Sequence, residues 1–193
     1  MTLEAAAKGW VGELKTRCAH KLFLDLDEYH IYNNIILKSS TGTVQIDHVI
    51  VSRYGVFAIE TKNRDGWIYG GQYDGQWTQV FPNGEKHRFQ NPLRQNYSHT
   101  KSLSESLGID HEKIYSVIVF WGNCEFKTPV PENVLKGRST DYIMTKKLVL
   151  LTEREVNRIC GQLQNIKDKT PFLAGRRHIR QLKDRFESTC IPE

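Results

Sequence analysis

Two carboxylates and a lysine occupy neighbouring segments whose composition is typical of β-strands. Asp47 lies in the β-branched run 44–52, while Glu60 and Lys62 close the run 56–62. Carboxylate oxygens suit Mg²⁺, which polarises a phosphoryl oxygen and lowers the pKa of a bound water until it can attack as hydroxide. An adjacent lysine can orient that water or stabilise charge in the transition state. These residue types therefore indicate metal-dependent hydrolysis of a phosphodiester.

Whether these side chains converge depends on the turn at Arg53-Tyr54. A tight turn pairs Ser52 with Gly55 and makes a set of polar side chains share one face of the hairpin. That set is Gln45, Asp47, Glu60 and Lys62. A three-residue loop with a left-handed Gly55 and a bulge would shift the register by one residue and move Glu60 to the other face. Propensity alone leaves both registers open.

A plainer interpretation of the same residues also stands. Glu60 and Lys62 can form an ordinary ion pair at the end of a sheet, with Asp47 solvated nearby. Against it, both faces of the hairpin are otherwise apolar, so this corner needs a reason to be polar. Two adjacent carboxylates repel each other and are expensive to bury unpaired, and a divalent cation removes that conflict.

Helices and strands around the hairpin must position these groups. A helix is predicted over residues 3–26, because its apolar residues recur at spacings of three and four. The buried stripe so predicted is Leu3, Ala7, Trp10, Leu14 and Cys18. Strands are predicted over 32–37, 44–52 and 56–62, followed by a short hairpin from 66–69 and 76–81.

The second half of the chain is predicted to alternate helix and strand. Asn91-Pro92 combines a capping side chain with proline at the first helical position, and this helix should end near Leu107, before Gly108. Residues 114–121 form an apolar run typical of a strand covered on both faces. A last strand is predicted over 148–151.

The predicted C-terminal part is helical. Thr152 and Glu155 form a capping box for a helix toward Gln164. Thr170-Pro171 repeats the cap-plus-proline pattern and opens a basic helix, for which a solvated face is the first interpretation and DNA contact the second. The expected fold class is α/β with a mixed central sheet flanked by helices. One domain over 1–193 is expected, with a core at about 6–151 and a helical extension over 152–193.

Composition narrows the class of protein. The 193 residues carry a net charge of +5, which makes a polyanion such as nucleic acid a plausible partner. Four scattered cysteines with no CxxC pair argue against a disulfide framework and a zinc finger. No stretch has the length of a membrane span, and the N-terminus does not resemble a signal peptide. We therefore expect a cytoplasmic protein that has no membrane partner.

The combination of segments resembles the NERD (nuclease-related) domain, itself similar to restriction-endonuclease-like PD-(D/E)xK enzymes. The resemblance covers roughly residues 6–121 and rests on five features. They are Gly12-Glu13, the run 42–49, the run 55–63, Gly66 with Trp77, and the run 89–96. One departure is Ile46, which occupies the position of the proline in the PD-(D/E)xK motif. This difference weakens the match to the motif's name more than it weakens the metal chemistry.

The resemblance implies roles for particular residues. Asp47 and Glu60, with the carbonyl of Thr61, would hold Mg²⁺ or Mn²⁺, and Lys62 would be the catalytic lysine. Glu13 would act near the metal, and Gln95 would position a phosphate or the attacking water. The candidates for contact with nucleic acid are Gln45, His48, Arg64, Arg94, His99 and Lys101.

The implied function is metal-dependent cleavage of nucleic acid, with DNA favoured over RNA and a homodimer as one possible assembly. The alternative is an inactive module of the same fold that binds nucleic acid or docks a partner.

Overall fold

A computed structural model describes residues 3–39 and 42–169 of the chain, apart from the side chains of residues 3–8 and 39. The basic helix predicted from Thr170 lies outside the described residues. The helices are α1 (Leu3–Phe23), α2 (Pro92–Leu107), α3 (Ser139–Thr145) and α4 (Glu153–Lys169). The strands are β1 (His30–Ser39), β2 (Gly42–Ser52), β3 (Gly55–Asn63), β4 (Gly66–Tyr69), β5 (Gln76–Val80), β6 (Lys86–Gln90), β7 (Ile114–Trp121), β8 (Cys124–Phe126) and β9 (Val134–Lys136).

The central sheet has five strands in the order β1-β2-β3-β7-β9. The first three strands pair antiparallel, whereas β3, β7 and β9 run parallel, so the sheet is mixed. Apolar side chains from α2 and α4 pack on one face, and α1 and α3 lie on the other. The prediction of a mixed sheet flanked by helices is therefore confirmed.

The turn between β2 and β3 is the tight one. Ser52 pairs with Gly55, and the same register continues to His48 opposite Ile59. Since strand side chains alternate, Asp47 and Glu60 follow on the face that carries Val49 and Ala58 and is covered by α2. The register that would have moved Glu60 to the opposite face is excluded.

A second sheet, with the order β6-β5-β4-β8, packs beside the first. Trp77 at its centre is fully buried, stacks on Phe120 of β7 at 6.0 Å between ring centroids, and donates from Nε1 to the carbonyl of Gly71. This packing places the β5–β6 hairpin beside the C-terminal end of β3. The predicted 66–69 and 76–81 hairpin is present, but sequence analysis missed its third strand, β6.

Helix α1 is oriented opposite to the prediction. The side facing the protein carries Gly12, Thr16 and His20, all buried. Trp10 and Leu14, predicted to be buried, are instead 63% and 39% exposed, and Cys18 is exposed. The periodicity correctly indicated a helix, but Trp10, Leu14 and Cys18 face solvent because Thr16 on the opposite side bonds to the sheet. The side chains of Leu3 and Ala7 lie outside the described residues.

The second half of the chain agrees with the prediction at α2 and differs from it elsewhere. Helix α2 has the predicted bounds, with the Asn91 side chain accepting from the N–H of Leu93 and a left-handed Gly108 as C-cap. Residues 148–151 form no strand, because they lie outside the sheet, where the N–H groups of Leu150 and Leu151 bond to the Arg53 carbonyl. Strands β8 and β9 and helix α3 were not predicted, because they are too short to produce a clear pattern in the sequence.

The C-terminal capping box is confirmed. The N–H of Glu155 donates to the Thr152 hydroxyl, and the N–H of Thr152 donates to the Glu155 carboxylate. In the described parts of the chain, no helix is long and apolar enough to span a bilayer.

Candidate metal-dependent hydrolase site

The site begins where the side chain of Asp47 bridges β2 and β3. Asp47 Oδ2 accepts a hydrogen bond of 2.9 Å from the N–H of Thr61. This bond fixes one carboxylate oxygen of Asp47 one residue away from Glu60. The tight turn and this bond together place the two acids side by side at the end of the hairpin.

Glu60 is buried and surrounded by polar groups from two elements. Its Oε1 accepts from Lys62 Nζ at 2.5 Å and from Gln95 Nε2 at 2.8 Å, while Lys62 Nζ also donates to Gln95 Oε1 at 2.9 Å. His99 Nδ1 lies 3.5 Å from Glu60 Oε2. The ion pair expected from the plainer interpretation does exist, but it is enclosed rather than solvated, and α2 contributes two of its neighbours.

Helix α1 brings Glu13 toward the same corner by a close approach at Gly12. A Cβ on Gly12 would lie 3.0 Å from Asn63 Cβ and 3.2 Å from Thr61 Cγ2. Thr16, one turn later, accepts from Trp121 Nε1 at 2.7 Å and lies 3.4 Å from the Thr61 hydroxyl. Glycine at position 12 therefore lets α1 contact the end of β3, where Glu13 interacts electrostatically with Glu60 and Asp47.

The electrostatics of this corner disfavour its own negative charge. Burial, followed by Glu60 and Glu13, raises the pKa of Asp47 well above its ordinary value, while the Thr61 N–H and Lys62 oppose the rise. Burial and Glu60 also raise the pKa of Glu13. Among the described residues, two cations offset part of this repulsion: Lys62 donates to Glu60, and Arg17 lowers the pKa of Glu13. An added divalent cation would relieve the repulsion that remains.

The donor set fits a hard cation. Asp47 and Glu60 supply carboxylate oxygens, which Mg²⁺ and Mn²⁺ prefer, and Mg²⁺ commonly binds through one or two carboxylates while keeping several waters. Within residues 9–38 and 42–169, no three His, Cys, Asp or Glu side chains are grouped closely enough to form a site by themselves. Any bound ion would therefore depend on water, backbone or substrate oxygens for the rest of its coordination shell.

Arg64 lies two residues beyond Lys62 and is held in place by the second sheet. Its guanidinium stacks 4.0 Å from the centroid of Phe89 and donates from Nη1 to Gln79 Oε1 at 2.8 Å. Gln79 is buried and donates in turn to the carbonyl of Asp65. No carboxylate among the described residues forms a salt bridge with Arg64, and burial lowers the pKa of its guanidinium.

The remaining predicted contact residues are spread over the surface. Arg94 and Lys101 are exposed on the outer side of α2, where Arg94 donates to the Tyr73 carbonyl and Lys101 lies over the Tyr97 ring. Gln45 is exposed on β2, three residues before His48, the last residue of β2 that pairs with β3. The structure therefore brings Asp47, Glu60, Thr61, Lys62, Gln95 and His99 together, with Glu13 and Arg64 at the margin.

The predicted contact of His48 with nucleic acid does not fit the structure. Its side chain points to the face opposite Asp47, is 1% exposed, and pairs through Nδ1 with Asn33 Oδ1 at 2.7 Å. His20 of α1 packs against it with ring centroids 5.5 Å apart. His48 thus belongs to the contact between β2 and α1, because adjacent residues in a strand face opposite sides.

Asn96, a residue with no predicted role, positions α2 on the sheet. Asn96 is fully buried and donates from Nδ2 to the carbonyls of Ala58 and Val117 and to the Ser116 hydroxyl. These bonds join α2 to β3 and β7 one residue from Gln95. An asparagine on the apolar side of a helical pattern was the available signal.

The chain shares sequence similarity with a bacterial protein and with a known family. The chain is 36% identical over 122 residues to an uncharacterised protein of Bacillus anthracis, and the match spans 61% of this chain and 56% of that protein. The chain thus covers little more than half of the relative's length. The profile of the Nuclease-related domain (NERD) matches residues 8–121, which include both acids, Lys62 and Gln95. The chain therefore belongs to the nuclease-related domain family.

Proposed function

We propose that this protein hydrolyses phosphodiester bonds in nucleic acid, with Mg²⁺ or Mn²⁺ as cofactor and DNA as the favoured substrate. The observation that carries the proposal is the enclosed group of Asp47, Glu60 and Lys62, supported from α2 by Gln95. Burying two acids with one lysine destabilises the fold, so stability does not account for the group. Metal-assisted phosphoryl transfer uses the same set, because the acids bind the ion and the lysine stabilises developing charge.

Asp47, Glu60 and the carbonyl of Thr61 would hold the ion, which when bound would supply Lewis-acid activation and a water of lowered pKa. Lys62 shares its ammonium between Glu60 and Gln95. From that position it can donate to the attacking water or to a phosphoryl oxygen as charge develops. Gln95 holds Lys62 and Glu60 together through both ends of its amide.

Cationic side chains near the site support a nucleic acid as the substrate. Arg64 presents a guanidinium two residues beyond Lys62, and Lys86 and Arg88 of β6 are exposed on the neighbouring sheet. Arg94 and Lys101 add charge on α2. Such contacts hold a phosphate backbone without reading its sequence. We also propose a cytoplasmic setting, consistent with the free thiols of Cys18, Cys124 and Cys160.

The test is cleavage of linear, circular and single-stranded DNA, and of RNA, in Mg²⁺, Mn²⁺ or EDTA. We expect metal-dependent cleavage by the wild type and its loss in Asp47→Asn and Lys62→Ala, with both variants folded by circular dichroism. Asp110→Asn and Lys167→Ala change exposed residues away from the site and serve as matched controls. Full activity in Asp47→Asn and Lys62→Ala would refute the proposed site.

The rival function is a binding or docking module of the same fold without catalysis. It predicts binding to nucleic acid that survives EDTA, decreases with salt, and is accompanied by no cleavage in any metal. That result would replace the enzymatic proposal while leaving the role of the cationic side chains intact.

A further inference from the structure

The outward face of α1 carries an unbroken row of apolar side chains. Trp10, Leu14, Cys18 and Leu22 follow each other at intervals of four residues, with Val11 beside them. We call these five residues the α1 stripe. Trp10 is 63% exposed and Leu22 76% exposed, and no part of the described chain covers the stripe. Buried Gly12, Thr16 and His20 occupy the opposite side of the helix, so the apolar row lies on the side of α1 that faces solvent.

We propose that the α1 stripe is the interface with a second copy of this chain, in which α1 packs antiparallel against the same helix of the copy. A row with a spacing of four is the ridge used in the commonest class of helix–helix packing. An interface of one surface with itself is also the usual arrangement in two-fold symmetric dimers.

The spacing of the stripe is self-complementary. Leu14 and Cys18 lie equally far from Thr16 along the helix, as do Trp10 and Leu22. A two-fold axis that crosses the stripe at the level of residue 16 along the helix therefore places Leu14 opposite Cys18 of the second copy and Trp10 opposite Leu22 of the second copy. Large side chains meet smaller ones in both pairs, which is the condition for interdigitation.

The size of the stripe suits a dimer. From their exposed fractions, its side chains offer on the order of 500 Å² of apolar area per copy, so two copies would bury about 1,000 Å² before any polar rim is counted, near the lower limit of specific interfaces. The apolar area on one copy, about 500 Å², is also near the upper end of the apolar patches found on monomers.

The first test is sedimentation velocity of the full chain from 1 to 100 µM, without metal or nucleic acid, so that its outcome is independent of the proposed nuclease activity. We expect a dimer for the wild type. Leu14→Glu should raise the dissociation constant at least 30-fold, as for an interface hot spot. Leu148→Glu, which changes an equally apolar residue that is 70% exposed elsewhere, should leave the dimer intact.

A second test addresses the register. Two packed helices 8–10 Å apart bring facing Cα atoms within the range of a disulfide. Mild oxidation of the Leu14→Cys variant should therefore give a covalent dimer joined between position 14 and Cys18 of the second copy. A wild type that is monomeric at 100 µM, a Leu14→Glu variant that still dimerises, or a monomer that binds phosphatidylserine vesicles through the stripe would each overturn the proposal.

Discussion

Acidification should destabilise this fold through two buried histidines at the contact between α1 and β2. Burial lowers the pKa of His20 to about 4 and, with His20 and Arg17 adding to it, lowers the pKa of His48 to about 3. Both rings are therefore neutral in the folded protein, whereas the unfolded chain protonates them near pH 6.5. The stability that they contribute is fully present above pH 6.5 and is lost as the pH falls below it.

The magnitude follows from these pKa values. Between pH 7.5 and pH 5.0 the unfolded state gains nearly one proton at each histidine and the folded state gains almost none. Between these two pH values each histidine lowers the free energy of unfolding by about 2 kcal/mol, so the pair lowers it by about 4 kcal/mol. The raised pKa values of Asp47 and Glu13 act in the opposite direction, since the folded state takes up protons there first.

Urea unfolding at pH 7.5 and 5.0 measures the effect, and variants separate the histidines from the carboxylates. His20→Gln and His48→Gln should each reduce the loss on acidification by about 2 kcal/mol, whereas His87→Gln, at an exposed position, should not. The ring resonances of His20 and His48 should also stay those of neutral imidazole at pH 5. Equal pH dependence in the wild type and both buried variants would refute this reasoning.

Two further predictions concern the packing of α1 and the repulsion between the acids. Gly12→Val should lower the free energy of unfolding measured in urea by about 1–3 kcal/mol, because the new side chain would meet Asn63 and Thr61. Gly9→Ala, which adds a methyl group with nothing within 4 Å, should not lower it. Equal stability of the two variants would contradict the close approach of α1 to β3. Asp47→Asn should gain on the order of 1 kcal/mol in EDTA by removing a buried charge beside Glu60, and it should lack the increase in Tm that we expect Mn²⁺ to produce in the wild type. A Tm that still rises with Mn²⁺ in this variant would exclude Asp47 as a ligand.

Local signals in the sequence determined much of the fold. Cap residues set the bounds of α2, since Asn91, Pro92 and Gly108 act on their nearest neighbours. Strand β7 was equally clear, because a continuous apolar run has few alternatives when both faces are covered. The acids and Lys62 were found for a related reason, as polar residues that interrupt two otherwise apolar strands.

Other features depended on contacts between distant parts of the chain. The side of α1 that faces the sheet is set by Gly12 against Asn63 and by Thr16 against Trp121, and neither contact leaves a mark in helical periodicity. Arg64 owes its orientation to Gln79 and Phe89, which lie 15 and 25 residues away on another sheet.

The register of the β2–β3 hairpin lies between these cases. From turn propensity two registers were open, and the family resemblance favoured the one in which Glu60 shares a face with Asp47. The tertiary structure decided it, because the correct register is the one that buries the apolar sets on both faces under α1 and α2. Residue identity thus determined which groups are available for chemistry, and packing determined which of them meet.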